Sequence, residues 1–233
     1  MRRILGNRYG TDDGVMRHFE RLMRRRPELE GCGKAILDVY HALAGCFESG
    51  GKLMMVGNGG SCADCEHIAG ELMKGFYLPR LLPEETAARI REETEDLLPG
   101  ASGLLQQGLP AIALTGHPAL TTAVQNDNHP LLAPAQQIVA LAGPKDAVLG
   151  ISTGGNAKNV LLAIRTAKAL GLVTIGLTGE NGGMLKKICD LAVAVPGNTS
   201  ADVQELHLPV YHALCAMLEE HFFGGNGVKD GHG

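Results

Sequence analysis

The amino-acid sequence predicts an α/β fold, a doubly wound, five-stranded parallel sheet with helices on both faces. The main observation is that five short apolar runs alternate with segments of helical periodicity, as in parallel sheets whose strands are joined by helices. The runs are KLMMV at 52–56, AIALTG at 111–116, DAVLGIS at 146–152, VTIGLTG at 173–179 and LAVAVPG at 191–197. In addition, two runs lead through glycine-rich turns into helices. Such sheets bind ligands at the carboxyl ends of their strands, so we expect the functional residues there.

Helical segments precede and interrupt this pattern. Apolar residues three and four apart predict N-terminal helices within 1–50, and the glycines at 50 and 51 end the second of them. The charged segment 79–108 is bracketed by prolines and glycines. Within it, Pro83 followed by acidic residues is typical of a helix start. We interpret 79–108 as an exposed helical insertion.

The whole chain, 1–233, is predicted to form a single domain. Residues 121–127 and the segment that follows the third run, 157–171, are expected to be helical. The last helix is expected over 200–223, and Pro209 inside it predicts a kink. The glycine-rich residues 224–233 are expected to form a flexible tail.

Composition excludes several classes of protein. Tryptophan is absent and aromatic residues make up only 4% of the chain, which argues against a stacking platform for single-stranded nucleic acid. The net charge of −4 gives no general attraction to DNA or anionic lipid. The basic stretch 21–26 is surrounded by acidic residues, and we interpret it as a solvated helix face. With no secretory signal or apolar span, and six cysteines that form no disulfide pattern, we expect a cytoplasmic protein.

Two strand–turn–helix units are candidate ligand sites. One is LMMV-GNGGS and the other is VLGI-STGGN. Glycines allow backbone N–H groups to approach a ligand, and a helix start supplies unpaired donors. Both units would suit a phosphate or a polyhydroxyl ligand, although each alone is as well explained as a tight turn. Neither matches the Walker or the dinucleotide-binding pattern.

Further polar residues follow these turns. His67 and Glu71 share one face of a helix and could bind zinc together with ligands from elsewhere, although such pairs are also common on solvated helices. The last helix carries polar residues that apolar packing does not explain and that could instead be hydrogen-bonded at an interface: Gln204, Glu205, His207 and His212. Cys62 and Cys65 are interpreted as packing residues rather than a redox pair.

Four segments together resemble the sugar isomerase (SIS) domain family and, within it, the phosphoheptose isomerases. They are GNGGSCADCEHIAGEL, TTAVQND, GISTGGNAKNVLLAI and SADVQELHLPVYH, which lie in the family's order over most of the chain. The resemblance implies the SIS fold, a homotetramer with active sites between subunits, and a zinc site of His67, Glu71, Gln204 and His212. His207 matches a common family position, but no role is assigned to it.

The resemblance also implies an activity and further site residues. The reaction would be aldose–ketose isomerisation of sedoheptulose 7-phosphate to D-glycero-D-manno-heptose 7-phosphate through an enediol, with Glu71 as base and His212 as partner acid/base. The implied substrate contacts are Asn58, Gly59, Gly60, Ser61, Asn126, Asp127, Ser152, Thr153, Gly154 and Gln204.

Three departures from the family pattern leave alternatives open. Gly154 and Ala157 stand where the family has serines that meet the phosphate, and Asp202 stands where it has arginine. The segment 79–108 is also longer than the usual connection. The alternatives are an isomerase for another sugar phosphate and a non-catalytic SIS protein, either a sugar-phosphate sensor or a partner of the replication initiator.

Overall fold

A computed structural model describes residues 12–225 as a five-stranded sheet surrounded by helices. The chain begins with α1 (Asp12–Arg25), a 3₁₀ helix (Pro27–Cys32) and α2 (Gly33–Glu48). The remaining elements, in chain order, are β1 (Leu53–Val56), α3 (Gly60–Met73), α4 (Glu84–Thr94), α5 (Ala101–Leu104), β2 (Ala111–Ala113), α6 (Pro118–Asp127), α7 (Ala133–Leu141), β3 (Ala147–Ser152), α8 (Lys158–Ala169), β4 (Val173–Gly179), α9 (Gly183–Ile188), β5 (Leu191–Val195) and α10 (Ser200–Phe223).

The five strands are all parallel and lie in the order β2-β1-β3-β4-β5. In the centre, Leu53 of β1 is in register with Ala147 of β3. From β1 the chain first adds β2 on one side of the sheet and then β3 on the other, so the connections reverse direction between β1 and β3. Sheets of this kind bind ligands at that switch point. Both glycine-rich turns follow these two central strands. The predicted doubly wound parallel sheet is therefore confirmed, and its two candidate turns lie side by side.

Helices cover both faces of the sheet because successive strand side chains point to opposite sides. On one face, Leu53 and Met55 belong to a core built with α2, α3 and α10. On the other face, Met54 and Val56 pack in a second core with residues of α7, α8 and α9. The central strands β1 and β3 are buried along their whole length, as expected for strands covered on both sides.

The helical predictions were largely confirmed, with some differences in extent. The last helix spans 200–223 as predicted and continues through Pro209, and the predicted kink stays a prediction. The insertion contains α4 and α5, although α4 ends at Thr94 and the residues after it form turns. The helix α7 was not anticipated. The flexible tail was predicted over 224–233, and residues 226–233 lie outside the part of the chain that the structure describes.

Between residues 12 and 225, no helix is both long enough and apolar enough to cross a lipid bilayer.

Candidate active site

Three side chains from two helices converge where α3 packs against α10. His67 and Glu71 lie one turn apart on α3, and His212 faces them from α10, which packs against α3. Nε2 of His67 lies 3.2 Å and Nε2 of His212 lies 3.1 Å from the same oxygen, Oε1 of Glu71. One donor atom from each residue falls within 4.8 Å of the others, so the three could share one metal ion.

Glu71 occupies a buried position that is unusual for a carboxylate. Only 6% of the residue is exposed, and neither carboxylate oxygen has a hydrogen-bond partner of good geometry. Burial is the main reason why the pKa of Glu71 is raised to about 7. The negative charge of Glu219 also raises this pKa, whereas a hydrogen bond with the Cys215 thiol lowers it. An unpaired buried carboxylate is costly unless it binds a cation or is used in chemistry. Nε2 of His212 is buried as well and makes no hydrogen bond of good geometry, although it lies 3.1 Å from Oε1 of Glu71.

A hydrogen-bonded chain behind the three residues orients His67. The hydroxyl of Tyr211 donates to Oδ1 of Asp64 over 3.3 Å and lies 3.0 Å from Nδ1 of His67. Because the hydroxyl proton of Tyr211 is donated to Asp64, the hydroxyl oxygen accepts a hydrogen bond from Nδ1–H of His67. That tautomer leaves the lone pair of His67 on Nε2, facing Glu71, as metal-binding histidines require.

Gln204 reaches the cluster through the same chain. Its Nε2 donates to Oδ2 of Asp64 over 3.4 Å. Sequence reasoning selected Gln204 but missed Asp64 and Tyr211, which connect it to His67. Two features of the sequence could have identified them: Asp64 lies inside the GNGGSCADCEH segment, and Tyr211 directly precedes His212. The place of Gln204 among the predicted metal ligands stays a prediction.

The turn after β1 brings α3 close to α10. Gly59 has a φ of 54° and precedes the helix, a conformation that favours glycine. At Gly60 a Cβ atom would collide with the side-chain amide of Gln204, so a larger residue here would displace that amide. Asn58 exchanges two hydrogen bonds of 2.8 Å with Asn159 at the start of α8, and they tie the two glycine-rich units together.

The turn after β3 lines a cavity of about 270 Å³. Thr153 donates through its hydroxyl to Ser200 over 3.1 Å, which links this turn to the start of α10. Gly154 is exposed in the same cavity, and its carbonyl accepts from Asn156. Ser152 is buried at the end of β3 and Ser61 is buried in α3.

Two predicted substrate residues contact each other at the end of α6. Asn126 donates to Asp127 over 2.7 Å at the end of α6, and both side chains are exposed. Among residues 12–225, no hydrogen bond joins either of them to His67, Glu71 or His212.

His207 is fully buried and its ring faces the backbone of Thr178, while burial lowers its pKa to about 4. It is therefore a neutral core residue.

Two relatives place the chain in a family. A phosphoheptose isomerase from Trichlorobacter lovleyi is 38% identical over 189 residues, which cover 81% of this chain and 83% of the relative. Another from Crocosphaera subtropica is 39% identical over 183 residues, covering 78% and 80% of the two chains. The chain belongs to the phosphoheptose isomerase family. The resemblance seen in the four sequence segments is thus confirmed.

Domain and structure comparisons agree with this family. The SIS domain model matches residues 132–218, which include β3, β4 and most of α10. A phosphoheptose isomerase structure from Francisella tularensis superposes with a TM-score of 0.68 at 30% identity, covering 88% of this chain and 96% of that one. The structure from Neisseria gonorrhoeae gives 0.67 at 28% identity, with 89% and 97% covered. The SIS fold expected for a phosphoheptose isomerase is therefore confirmed.

One departure from the phosphoheptose isomerase pattern has a structural explanation. Asp202, which replaces arginine, accepts a 3.0 Å hydrogen bond from the backbone N–H of Thr199, and the Thr199 hydroxyl accepts one of 3.2 Å from the N–H of Asp202. This reciprocal capping box starts α10. The carboxylate is thus used to fix the helix that carries Gln204 and His212.

Proposed function

We propose that this chain is a metal-assisted phosphosugar isomerase that converts sedoheptulose 7-phosphate to D-glycero-D-manno-heptose 7-phosphate. The observation that carries the proposal is the buried Glu71 carboxylate, which makes no hydrogen bond of good geometry and has two histidine nitrogens within 3.2 Å of one of its oxygens. Family membership supports the same reaction, because the relatives that cover most of the chain are phosphoheptose isomerases.

Glu71 is proposed as the base. A pKa of about 7 suits a group that must take up and return a proton near neutral pH. Glu71 removes a proton from C1 of the ketose, the electron pair forms the C1–C2 double bond, and the C2 carbonyl oxygen takes up a proton. When the C1 hydroxyl loses its proton and C1=O forms, Glu71 returns a proton to C2. The aldose results with no net gain or loss of atoms.

His212 is proposed to move the second proton. Its Nε2 is buried beside Glu71 and has no hydrogen-bond partner within residues 12–225. Burial and the neighbouring His67 lower its pKa, which favours the neutral ring. Where its Nε2 is not bound to metal, a neutral imidazole can accept the proton from the C1 hydroxyl and deliver it to the C2 oxygen.

We further propose a zinc site formed by His67, Glu71, Gln204 and His212. Imidazole nitrogen and carboxylate oxygen are the donors that zinc prefers, and three of them already lie within 4.8 Å. When bound, zinc would stabilise negative charge on the two sugar oxygens. Because both histidines face Oε1 of Glu71, Oε2 remains for the proton transfer.

The proposed substrate contacts are the residues of the two turns and their neighbours. They are Asn58, Gly59, Gly60, Ser61, Asn126, Asp127, Ser152, Thr153, Gly154 and Gln204. The adjacency of β1 and β3 supports the contributions of the two turns. We also propose a cytoplasmic homotetramer, as the family resemblance implies. Exposed leucines at 81, 97, 98 and 104 are consistent with subunit contacts.

A second candidate is a non-catalytic protein that binds a sugar phosphate. Gly154 and Ala157 favour it, because two serine hydroxyls that the family pattern would offer to the phosphate are missing. The intact His67, Glu71 and His212 cluster favours the enzyme, since a binding protein has no need for a buried base.

The deciding experiment is an NMR assay with sedoheptulose 7-phosphate in D₂O, with and without added zinc, beside a Glu71→Gln variant. Aldose formation, or deuterium incorporation at C1, that is lost in the variant would support the isomerase. Zinc-bound protein without turnover would indicate another sugar phosphate. A protein that neither turns over nor binds metal would favour the binding protein.

A further inference from the structure

A groove between α1 and α10 combines an apolar lining with arginines. Its volume is about 240 Å³, and His212 is among the residues that line it. Arg21 and Arg25 lie one turn apart on the exposed side of α1 and also line the groove. The apolar and aromatic part of the lining consists of Leu22, Tyr77, Leu208, Pro209, Ala213 and Ala216. This α1–α10 groove therefore suits an occupant that carries apolar side chains next to acidic ones.

The positive charge of the groove is not neutralised within the chain. Residues 17–26 contain five arginines and one glutamate. Arg26 pairs with Glu28 over 3.5 Å, but among residues 12–225 neither Arg21 nor Arg25 forms an ion pair with a carboxylate. The exposed side of α1 thus presents cations that a partner of opposite charge could neutralise.

The insertion carries the opposite charge. Residues 84–96 contain six carboxylates and two arginines, and the two arginines lie 3.7 and 3.9 Å from Glu84 and Glu85 at the start of α4. Glu92 and Asp96 at the other end are exposed, and no ion pair of theirs occurs in the described part of the chain. Carboxylates near the carboxyl end of a helix are unfavourable for that helix, so its stability does not explain their position.

Two exposed leucines directly follow these carboxylates. Leu97 is 82% exposed and Leu98 is 55% exposed. The N–H of Leu98 donates to the carbonyl of Thr94 over 2.9 Å, so helical geometry continues from α4 to these leucines. Neighbouring apolar side chains with this exposure indicate a contact surface. The acidic segment, residues 92–98, thus combines carboxylates with apolar side chains, as the α1–α10 groove combines arginines with them.

The charges of the two surfaces also match in spacing. Arg21 and Arg25 are four residues apart on α1, and Glu92 and Asp96 are four residues apart at the end of α4. Residues four apart lie on the same side of a helix, so each pair presents two like charges about one turn apart. The two arginines can therefore face the two carboxylates at the same time.

The acidic segment does not reach the groove of its own chain, where its carboxylates and leucines stay exposed. The insertion nevertheless begins beside that groove, because Tyr77 stacks on His18 of α1 with 6.0 Å between the ring centroids. A two-fold axis at the groove would direct the insertion of each copy towards α1 of the other, and every contact would form twice.

We propose that the acidic segment of one copy docks into the α1–α10 groove of a second copy, while the reciprocal contact forms at the same time. The carboxylates pair with the arginines, and the two leucines cover the apolar lining. The docked segment closes the groove beside His212, so the second copy supplies one wall next to the catalytic cluster. The proposal rests on the proposed homo-oligomer and is independent of the proposed reaction.

Charge reversal on either side tests this contact. One variant is Arg21→Glu/Arg25→Glu and the other is Glu92→Lys/Asp96→Lys. The control, Lys186→Glu/Lys187→Glu, changes the charge of two exposed residues on α9 by the same amount as the arginine variant. Sedimentation velocity over a range of concentrations measures self-association of the full chain. Each interface variant is expected to associate at least about tenfold more weakly than wild type, because like charges then face each other, while the control stays within about twofold.

A mixture of the two interface variants shows whether the contact joins two copies. In a mixed pair, the arginines of one variant meet the carboxylates of the other, and the introduced glutamates meet the introduced lysines. The equimolar mixture is therefore expected to associate within about threefold of wild type. Interface variants that associate as wild type does would overturn the proposal, and so would a mixture that associates no better than its components.

The wild-type protein separates this proposal from the proposed homo-oligomer. An oligomer that withstands both charge reversals would place the subunit interface elsewhere and overturn only the docking. A wild type that stays monomeric at all concentrations would overturn both. Because sedimentation needs no substrate, the NMR assay with sedoheptulose 7-phosphate decides about the reaction separately.

Discussion

Arg80 and Glu219 form a buried ion pair next to the backbone of Glu71, with Nε of Arg80 2.8 Å from Oε1 of Glu219. Their side chains are 0% and 1% exposed. Arg80 also donates to the carbonyls of Glu71 and Leu72, which are orphan acceptors at the end of α3. Glu219 accepts from the backbone N–H groups that follow this helix. The pair therefore fixes the helix end that bears Glu71 against α10, which bears His212.

Arg80→Met should destabilise the fold strongly. The substitution leaves the Glu219 carboxylate buried without its partner and removes the donors to the α3 carbonyls. Breaking one side of a buried pair costs about 3–5 kcal/mol. Denaturant unfolding followed by circular dichroism measures this free energy.

The control for Arg80 is Arg89→Met on α4. Arg89 lies 3.9 Å from Glu85, and the two side chains are 70% and 85% exposed. A surface pair of this kind contributes less than about 1 kcal/mol. A similar loss in both variants would show that the buried pair has no special role.

Tyr211→Phe should weaken zinc binding without unfolding the protein. The hydroxyl accepts from His67 and so holds the ring with Nε2 towards Glu71. Loss of the group that hydrogen-bonds a metal-binding histidine typically lowers metal affinity about 10–100-fold. Competition with a chromogenic chelator measures the affinity. Tyr40→Phe removes a hydroxyl bonded to His221, away from the cluster, and should leave zinc affinity unchanged. Equal affinity of both variants and wild type would argue against the orienting role of Tyr211.

Gly60→Ala should impair catalysis by displacing Gln204. The added methyl group would overlap the Gln204 amide, which must move away from Asp64. A displacement of about 1 Å near a reacting centre can cost roughly a hundredfold in rate. We expect kcat/KM for sedoheptulose 7-phosphate to fall at least about tenfold.

Gly70→Ala serves as the comparison because it lies in the same helix with open space around the new Cβ. Alanine is the better helix former, so this variant should gain about 0.5–1 kcal/mol of stability and keep full activity. If Gly70→Ala lost as much activity as Gly60→Ala, the contact with Gln204 would not be the cause.

The sequence predicted much of the fold because the relevant signals are local. Apolar runs and glycine turns identified the five strands, and the cap at Thr199 lies at the predicted start of α10. The helix α7 was missed, since its sequence APAQQIVAL combines proline with a short apolar run. The helix start after Pro83 was visible in the sequence, whereas the end of α4 at Thr94 was not, because the acidic pattern continues past it into turns.

The site was only partly predictable, because its geometry depends on contacts between distant segments. His67 and Glu71 share a visible helical spacing, whereas the approach of His212 required the resemblance to a family. The chain from Gln204 through Asp64 and Tyr211 to His67 spans about 140 positions and has no periodic signal. The basic stretch 21–26 was interpreted as a solvated helix face, and its four arginines are exposed.

Asp146→Asn should destabilise the protein at neutral pH. It should also make the free energy of unfolding depend less on pH in the acid range. The carboxylate, 5% exposed, accepts from the backbone and side chain of Lys52 and from the N–H of Gly143. Burial alone would raise the pKa of Asp146, but the hydrogen bonds with Lys52 and Gly143 outweigh it and hold the pKa below its usual value. This contact joins the starts of β1 and β3, the strands that carry both glycine-rich turns.

The sign of the pH effect follows from the depressed pKa. Stability from Asp146 is fully present above the ordinary aspartate pKa of about 3.9, and it is lost as the pH falls towards the lower folded-state pKa. At pH 7 we expect the variant to lose about 1.5–3 kcal/mol, the range for hydrogen bonds to a charged group. Urea unfolding at pH 7 and pH 3 measures both values. Asp38→Asn, which removes an exposed partner of Lys34, should change little at pH 7. A wild-type-minus-variant difference for Asp146 that stays the same at both pH values would contradict the assigned pKa direction.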